Sequence, residues 1–522
     1  MRRLALLLAL LAPASASAAT RYATPTGTAD GSCTRTAPCA LASAIGGSAP
    51  GDTIFVRGGT YGIEPLVVPH RLTITAAPDA PRPVLRSGTA GAVALTVADG
   101  ATGTVVEHLA ISAPADGAVG VDLLAATALD DVTVTSGDAA CLRSAAPGVR
   151  IDDAAFTQLR TSADPCLLTS GADTSWTGVD VEAISADLAA SYSGDGTVTD
   201  ATFRGQVTGL QVGGSAGVHR VTASGRDRGI VLSGTTMLTD SVAVARVGGT
   251  AVFAGSGNHE LLNVTAWALG AGSSGIRTAS GAEMTVKNTI ARGVASDLRA
   301  EPATTAATSD CAVFTGCPAS RIAVDHSNFR TGAYVEDLGS NQAGSPRFAD
   351  AGFEDFRLRA GSPAIDAGSF EFNSGSADRA GRFRWLGASP DIGAYEYPAP
   401  RKAPRKTDRK APTLGVVRLT SPSFRVARRG LAFAAAGAPL GSTLVFVVSE
   451  DSELVAQVRR PGARRSLGTI VRTAVRGTHR VYLSGRIDGR PLPPGRYVLT
   501  VMARDVAQNL SRPRVLTFTI VR

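Results

Sequence analysis

The sequence predicts an all-β protein: a three-sided, right-handed parallel β-helix of about ten or more coils over residues 20–397, followed by a small β-sandwich over residues 413–522. Three observations predict it. A polar residue flanked by alternating apolar positions recurs at intervals of 20 to 27 residues through the middle of the chain. Two cysteines, Cys141 and Cys166, lie one such interval apart. At residue 398 the composition changes into a Pro-, Lys- and Arg-rich stretch, beyond which strand-like runs alternate with Gly/Pro turns.

The chain opens with charge at Arg2 and Arg3, an apolar run from Leu4 to Leu11 and the small residues Ala16-Ser17-Ala18. Residues 1–19 therefore read as a secretory signal peptide. No later stretch approaches the roughly 18 uninterrupted apolar residues of a membrane span, so an extracellular or cell-surface location is expected. Six cysteines in an exported chain favour three local disulfides, Cys33 with Cys39, Cys141 with Cys166, and Cys311 with Cys317. The middle pair fits a solenoid, because strands about 4.8 Å apart on adjacent coils bring two cysteines within bonding reach.

The repeat is anchored on ten polar residues: His108, Asp131, Asp153, Asp180, Asp200, Arg220, Asp240, Asn263, Asn288 and His326. The steps between them are 23, 22, 27, 20, 20, 20, 23, 25 and 38 residues. Nine of the ten positions two before the anchor are Val, Leu or Ile, and all ten positions three after it are apolar. Alternation on both sides of a polar corner means two short strands meeting at a bend, with inward side chains stacking coil upon coil. The last step is one coil plus an insertion that carries Cys311 and Cys317. Leucine-rich repeats share the period, but their run of leucines and asparagine is missing.

The ends of a solenoid need caps, since a bare final coil offers unpaired strand edges. Cys33 to Tyr61, with Gly51-Asp52-Thr53-Ile54 and Gly58-Gly59-Thr60-Tyr61, resembles the N-terminal opening of secreted bacterial β-helix proteins. At the other end stand Pro346-x-Phe348, Asp355-Phe356-Arg357-Leu358, Ser362 to Gly368, Asp378, Gly381-Arg382 and Asp391-Ile392-Gly393-Ala394-Tyr395-Glu396-Tyr397. This stretch resembles the end module of the choice-of-anchor Q family of bacterial β-helix surface proteins, whose fold is pectate-lyase-like. The sequence departs from that pattern by Phe383-Arg384-Trp385 after Arg382. The resemblance implies fold and export but no particular activity. Within the motif, Ser362 to Gly368 suits a tight turn and Asp391 to Tyr397 a closing strand.

Residues 398–412 form a self-repelling Pro/Lys/Arg-rich linker. Beyond it, runs at Ser442 to Ser449, Glu453 to Arg459, His479 to Ser484, Tyr497 to Ala503 and Val515 to Val521 have sandwich spacing. Leu492 to Tyr497 followed by Ala503 to Ser511 resembles the closing hairpin of immunoglobulin-like or fibronectin-like modules, with Gln508 in place of the usual glycine. Charge divides at the same boundary. Residues 20–397 carry net −12, residues 398–412 net +5 and residues 413–522 net +13.

Pectin-hydrolase relatives pair carboxylates around the scissile bond and add a Gly-His-Gly cluster; here Asp130-Asp131 and Asp152-Asp153 fall at the repeat corner, and no Gly-His-Gly occurs. Lyases need a base beside a uronate carboxylate, and Lys287 is the only lysine between residues 20 and 397. The corner column of Asp131, Asp153, Asp180, Asp200 and Asp240 suggests Ca²⁺, but Arg220 interrupts it, and turn hydrogen bonding is the better reading. No cofactor is therefore expected. His108, His219, His259, His326 and His479 are scattered.

The position four after the anchor points outward, and in the last three coils it holds Trp267, Arg292 and Arg330. An aromatic platform beside two guanidinium groups suits a sugar ring bearing carboxylate or sulfate. The basic tail lacks interleaved aromatics and any nucleic-acid motif. The sequence thus predicts a monomeric, non-catalytic, exported protein that binds or is displayed on anionic envelope or extracellular polysaccharide, with a polysaccharide lyase as the alternative.

Overall fold

The computed structural model describes residues 18–303, 319–397 and 410–521, apart from positions 79, 184, 280, 373–376, 383, 385–386, 427–432, 435–440, 451, 464–466, 475, 484, 488–489 and 505–508. The chain divides into two compact units at the boundary between Tyr397 and Pro398. Residues 1–17 of the expected signal peptide 1–19, the expected Cys311–Cys317 pair and most of the expected linker 398–412 lie outside the described residues.

The first unit is a right-handed parallel β-helix. Each coil contributes a strand to sheet A, turns a corner into sheet B, crosses a second turn into sheet C and returns to A. Sheet B stacks eleven strands in unbroken chain order, from Thr60–Ile63 to Ile290–Arg292. Sheet A begins with Thr20–Ala23 and ends with Val335–Gly339, while sheet C runs from Leu66–Val68 to Gly332–Ala333. The strand Thr208–His219 passes through the C-to-A corner without interruption, joining sheet C to sheet A.

The A-to-B corner explains the repeat. A left-handed backbone there redirects the chain within one residue, and φ lies between 42° and 65° at His108, Asp131, Asp153, Gly178, Asp200, Arg220, Asp240, Asn263, Asn288 and His326. Asp and Asn tolerate this region because their short side chains bond locally, and glycine has no Cβ to clash. Nine of the ten predicted anchors stand at these corners. The fourth is corrected: the corner residue is Gly178, not Asp180, and the steps around it become 25 and 22 residues. The physical requirement is a backbone region, not a polar side chain, so glycine serves as well. In that register the apolar flanks are Trp176, Val179 and Val181, all at most 2% exposed.

Corner N–H groups continue the ladder into the next coil: Asp131 donates to the Asp152 carbonyl at 3.1 Å, Asp153 to Thr177 at 2.8 Å and Asp200 to His219 at 3.1 Å. The inward column two residues before the corner is continuous through Val106, Leu129, Ile151, Trp176, Val198, Val218, Leu238, Leu261, Val286 and Val324, each buried. Trp176 is the largest member, set edge-on to Tyr192 at 5.1 Å.

The N-terminal end is closed by the short helix Leu41–Gly46, which buries Leu41, Ala44 and Ile45 over the first coil. Two of the three expected disulfides are present, Cys33–Cys39 and Cys141–Cys166, the latter joining adjacent coils with Cα atoms 4.7 Å apart. After the last coil the chain does not end the solenoid axially. Residues 343–397 turn back as an arm and lie along the outside of sheet B, reaching from the coil of Asn288 to that of Asp200.

The second unit is a sandwich of two sheets. Leu414–Leu419, Ser442–Val448, Gly477–Leu483 and Phe433–Ala434 form one sheet; Ser423–Arg425, Arg514–Val521, Gly495–Arg504, Ser452–Arg459 and Gly468–Ala474 form the other. They share a core of Leu444, Phe446, Leu454, Val458, Tyr497, Val501 and Phe518. All five predicted runs are strands. Leu414–Leu419 and Gly468–Ala474 went unread because glycine and adjacent apolar residues blur their alternation.

Sheets B and C pinch together at Gly229, where an added Cβ would stand 2.5 Å from the Val244 nitrogen and 2.8 Å from the Ala251 oxygen. Both are backbone atoms of the ladder and have no room to move. Gly229→Ala should therefore lower the unfolding free energy of the β-helix by about 1–3 kcal/mol in urea denaturation, whereas Gly62→Ala, with nothing within 4 Å of the new methyl, should leave it unchanged.

Candidate functional site

The predicted outward column four residues after each corner exists, in register Thr135, Thr157, Glu182, Arg204, Ser224, Val244, Trp267, Arg292. Trp267, Arg292 and Arg330 do come together, around a depression of about 410 Å³ that Leu269, Val294 and Pro346 also line. Each is engaged within the protein. Trp267 packs edge-on to Phe348 at 5.4 Å and against Phe356 at 5.8 Å, both from the arm. Arg292 is only 5% exposed. Its guanidinium donates to the carbonyls of Ala291 at 2.7 Å, Asn328 at 2.8 Å and Gly344 at 2.9 Å, and burial brings it down to about 10. Arg330 forks onto buried Asp297 at 2.9 and 3.1 Å. Burial raises the Asp297 carboxyl, but hydrogen bonds from Arg330 and from backbone N–H groups overcome this and hold it below the usual carboxylate range.

The arm explains why sheet B changes character. Its outward residues are polar early on, as at Thr133, Asp180, Glu182 and Arg204, and become Val242, Val244, Trp267 and Ile290 where the arm lies over them. Asn288 exchanges side-chain hydrogen bonds with the backbone of Ser369 at 2.9 and 3.1 Å, and Arg379 reaches Thr222 at 2.7 Å. At the centre, Arg384 is 1% exposed and donates to Asp240 at 2.5 and 2.9 Å, to Glu396 at 3.2 Å and to two carbonyls. Desolvation opposes its charge, yet Asp240 and Glu396 outweigh that and raise its proton affinity. The three residues that depart from the resembled end module thus include the arm's central cation. The segment Asp391 to Tyr397 is not the closing strand expected. Carboxylates shape it instead: Asp391 accepts from the N–H groups of Asp366 and Tyr397, and Asp378 from those of Arg382 and Glu396. Ser362 to Asp366 forms the expected turn.

The corner acids act in the turns. Asp131 receives Arg82 at 2.5 Å and His108 at 3.0 Å, and Asp200 is gripped by both donors of Arg220 at 2.7 and 2.9 Å. Asp180 stands two residues beyond its corner, so the acidic column suggested for Ca²⁺ is broken there as well as at Arg220. Among the described residues no group of His, Cys, Asp or Glu is arranged to hold a metal ion. Lys287 is tied to Glu260 at 2.8 Å and lies over the ring of Phe372.

A cationic surface that remains open lies on sheet C, a face the sequence did not single out. A groove of about 560 Å³ crosses four coils, with Arg228, Thr250 and Ser274 on one outward column and Arg277 and Arg299 on the next. The Arg228 guanidinium lies 4.4 Å from the Phe253 ring centroid, and that of Arg277 lies 5.6 Å away. Glu301 accepts from Arg277 and Arg299 at 2.8 Å each, which together hold its carboxyl low against the effect of burial. Arg228 faces no carboxylate within ion-pair distance among the described residues. The nearest acid in sequence, Asp227, is turned to Arg226 at 3.0 Å.

No family model and no curated protein matches the sequence. Among solved structures, the chain is similar to a rhamnogalacturonan lyase at 11% identity, covering 63% of this chain and 90% of that one with a TM-score of 0.33. It is also similar to the enzymatically active domain of tailspike protein 2 of bacteriophage CBA120 at 9% identity, covering 91% and 73% with a TM-score of 0.30. No helix of the described residues is long and apolar enough to cross a membrane.

Arg292 and Arg228 should respond oppositely to truncation. Arg292→Ala strands the buried acceptors of Asn328 and Gly344 and should cost about 1–3 kcal/mol in urea unfolding. Arg228→Ala should shift the same transition by less than about 0.5 kcal/mol, as expected for a surface residue.

Proposed function

We propose that the protein is an exported polyanion-binding β-helix that holds an acidic polysaccharide in the sheet C groove. The observation that carries this reading is the groove's row of guanidinium groups, with Arg228 stacked on Phe253 and within ion-pair distance of no carboxylate among the described residues, the groove's Asp227 being turned to Arg226. Guanidinium forks match carboxylate and sulfate oxygens, and Thr250 and Ser274 between them offer hydroxyl partners for sugar oxygens. Strand stacking repeats these groups about every 4.8 Å along the axis, which suits an extended chain better than a compact ligand. Every basic side chain in the groove is arginine, which keeps its proton at any physiological pH. Such a surface holds an anion rather than abstracting a proton from it. Export is supported by the N-terminal signal pattern and by the two disulfides, which persist in oxidising compartments. The basic stretch 413–522, net +13, fits attraction to anionic envelope polymers.

Co-sedimentation with polygalacturonate, alginate and a sulfated glycan tests the groove. Arg228→Ala or Arg299→Ala should weaken binding about tenfold, the equivalent of one charge-assisted hydrogen bond. Arg143→Ala should not, because Arg143 lies outside the groove, farther along sheet C beside Asp122. Unchanged binding in the Arg228 and Arg299 variants would overturn the assignment. Appearance of ultraviolet-absorbing unsaturated product would replace binding with elimination chemistry.

Retention on cells supplies a second test. Removing residues 398–522 should abolish it, and in the full-length protein it should fall as salt shortens the screening length from about 10 Å at 0.1 M to 3 Å at 1 M.

A further inference from the structure

Where the arm meets sheet B, charge is out of balance in a dry place. Asp240, Asp378, Asp391 and Glu396 are each at most 2% exposed, and the cation that reaches among them is Arg384. Four ionised carboxylates around one guanidinium would leave uncompensated negative charge buried, which costs several kcal/mol per ion. Holding a proton on one acid removes part of that cost.

Glu396 is the acid best placed to hold it. Its Oε1 receives the Asp391 N–H at 2.9 Å and Arg384 at 3.2 Å, so one oxygen carries both contacts. Burial, only partly offset by Arg384 and reinforced by Asp391, pushes Glu396 up to about 8. Burial likewise lifts Asp391 to about 6 and raises Asp378. The groups facing the cluster from the arm are Arg384, Asp378, Asp391 and, behind Asp391, Asp366. From the β-helix they are Asp240 and its neighbour Asn263, with Arg220 farther out on Asp200. Arg379 anchors the adjoining part of the arm on Thr222.

We infer that this cluster is a proton-operated clasp: with a proton on Glu396 the arm lies shut along sheet B, and loss of that proton loosens Asp391 to Tyr397 from the strip of Val242, Val244 and Trp267. The sign follows from linkage. A carboxyl that titrates near 8 when the arm is closed and near about 4.3 when it is open must release a proton to open. The clasp is therefore fully secured below about pH 4.3, loosens as pH rises toward 8 and changes no further above it. Because Tyr397 is the last residue before the linker, the same step frees the point from which the second unit is tethered.

Hydrogen exchange read by mass spectrometry tests this on the full-length protein, with each rate divided by the intrinsic rate at that pH. Protection of the peptide spanning Asp391 to Tyr397 should fall about tenfold per pH unit between pH 6 and 8. Protection of Asn258–Leu262 in the core should stay constant. Glu396→Gln should remove the slope. A flat wild-type profile from pH 6 to 8, or an equal slope in the Gln variant, would overturn the proposal. Isotope-edited infrared spectroscopy of ¹³C-glutamate-labelled wild type reads the proton directly without a variant. A protonated glutamate carboxyl must persist at pH 7, and its absence would sink the clasp.

Discussion

From the coil of His108 to that of His326, the β-helix hangs on one residue per coil adopting a left-handed backbone at the A-to-B corner. That conformation turns the chain between two strands without a loop, so the residues on either side keep a fixed offset from it. With the offset fixed, positions −2, +1 and +3 always face inward, and the buried column from Val106 to Val324 follows. The corner also sets composition. An L-residue in this region is strained unless its side chain bonds locally, which is why Asp and Asn recur and Gly178 substitutes for them. Arg220 is the costly exception, and both its fork donors are taken by Asp200 one coil earlier. The corner ladder is thus a row of compensated strains, each supported by its neighbour.

The arm is the second layer built on that frame. Its apolar residues need a matching surface, and sheet B supplies one only in the later coils, where Val242, Val244 and Ile290 replace the threonines and acids of the earlier ones. Burying Arg384 among carboxylates adds little net stability, since desolvation consumes most of the Coulombic gain. What the network adds is register. Asp240 belongs to a single coil, so only one axial position of the arm pairs Arg384 with it, and a slip by one coil would leave a buried charge unmatched.

This division explains which parts could be read from the sequence. Corners, core columns and the outward +4 column share a constant offset, so they were legible, and the sequence did bring Trp267, Arg292 and Arg330 onto one face. The cover over Trp267 and the burial of Arg292 were not legible, because they depend on an arm that returns from more than fifty residues downstream, although the shift from Glu182 and Arg204 to Val244 and Trp267 was a visible sign of cover; Arg330 stays exposed beside buried Asp297. The sheet C groove was hidden for a different reason. The B-to-C turn varies in length, so Arg228, Thr250, Ser274 and Ser296 share one column at offsets of 8, 10, 11 and 8 from their corners. Any fixed-offset reading scatters that column. Asp180 is not the anchor because polarity does not mark this corner, where the backbone requires only φ above zero and Gly178 supplies it.

The three faces therefore differ in what remains available to a ligand. Sheet B is closed by the arm over its later coils, and charged side chains of the A-to-B corner are engaged within the protein, Asp131 and Asp200 with neighbouring cations and Asp240 with the arm's Arg384. On sheet C, Glu301 partly neutralises Arg277 and Arg299, while Arg228 keeps its charge against an aromatic ring. A single anion would gain little from such a surface, because two of the three guanidinium groups already have a partner. A polyanion gains differently. Once one of its groups is held at Arg228, the next lies close to Arg277 and Arg299 at high effective concentration, and modest contacts on successive coils add along the axis. On the proposed reading, the stacking that builds the fold coil by coil would also give a polyanion one contact per coil, so that the groove would favour length over any single strong site.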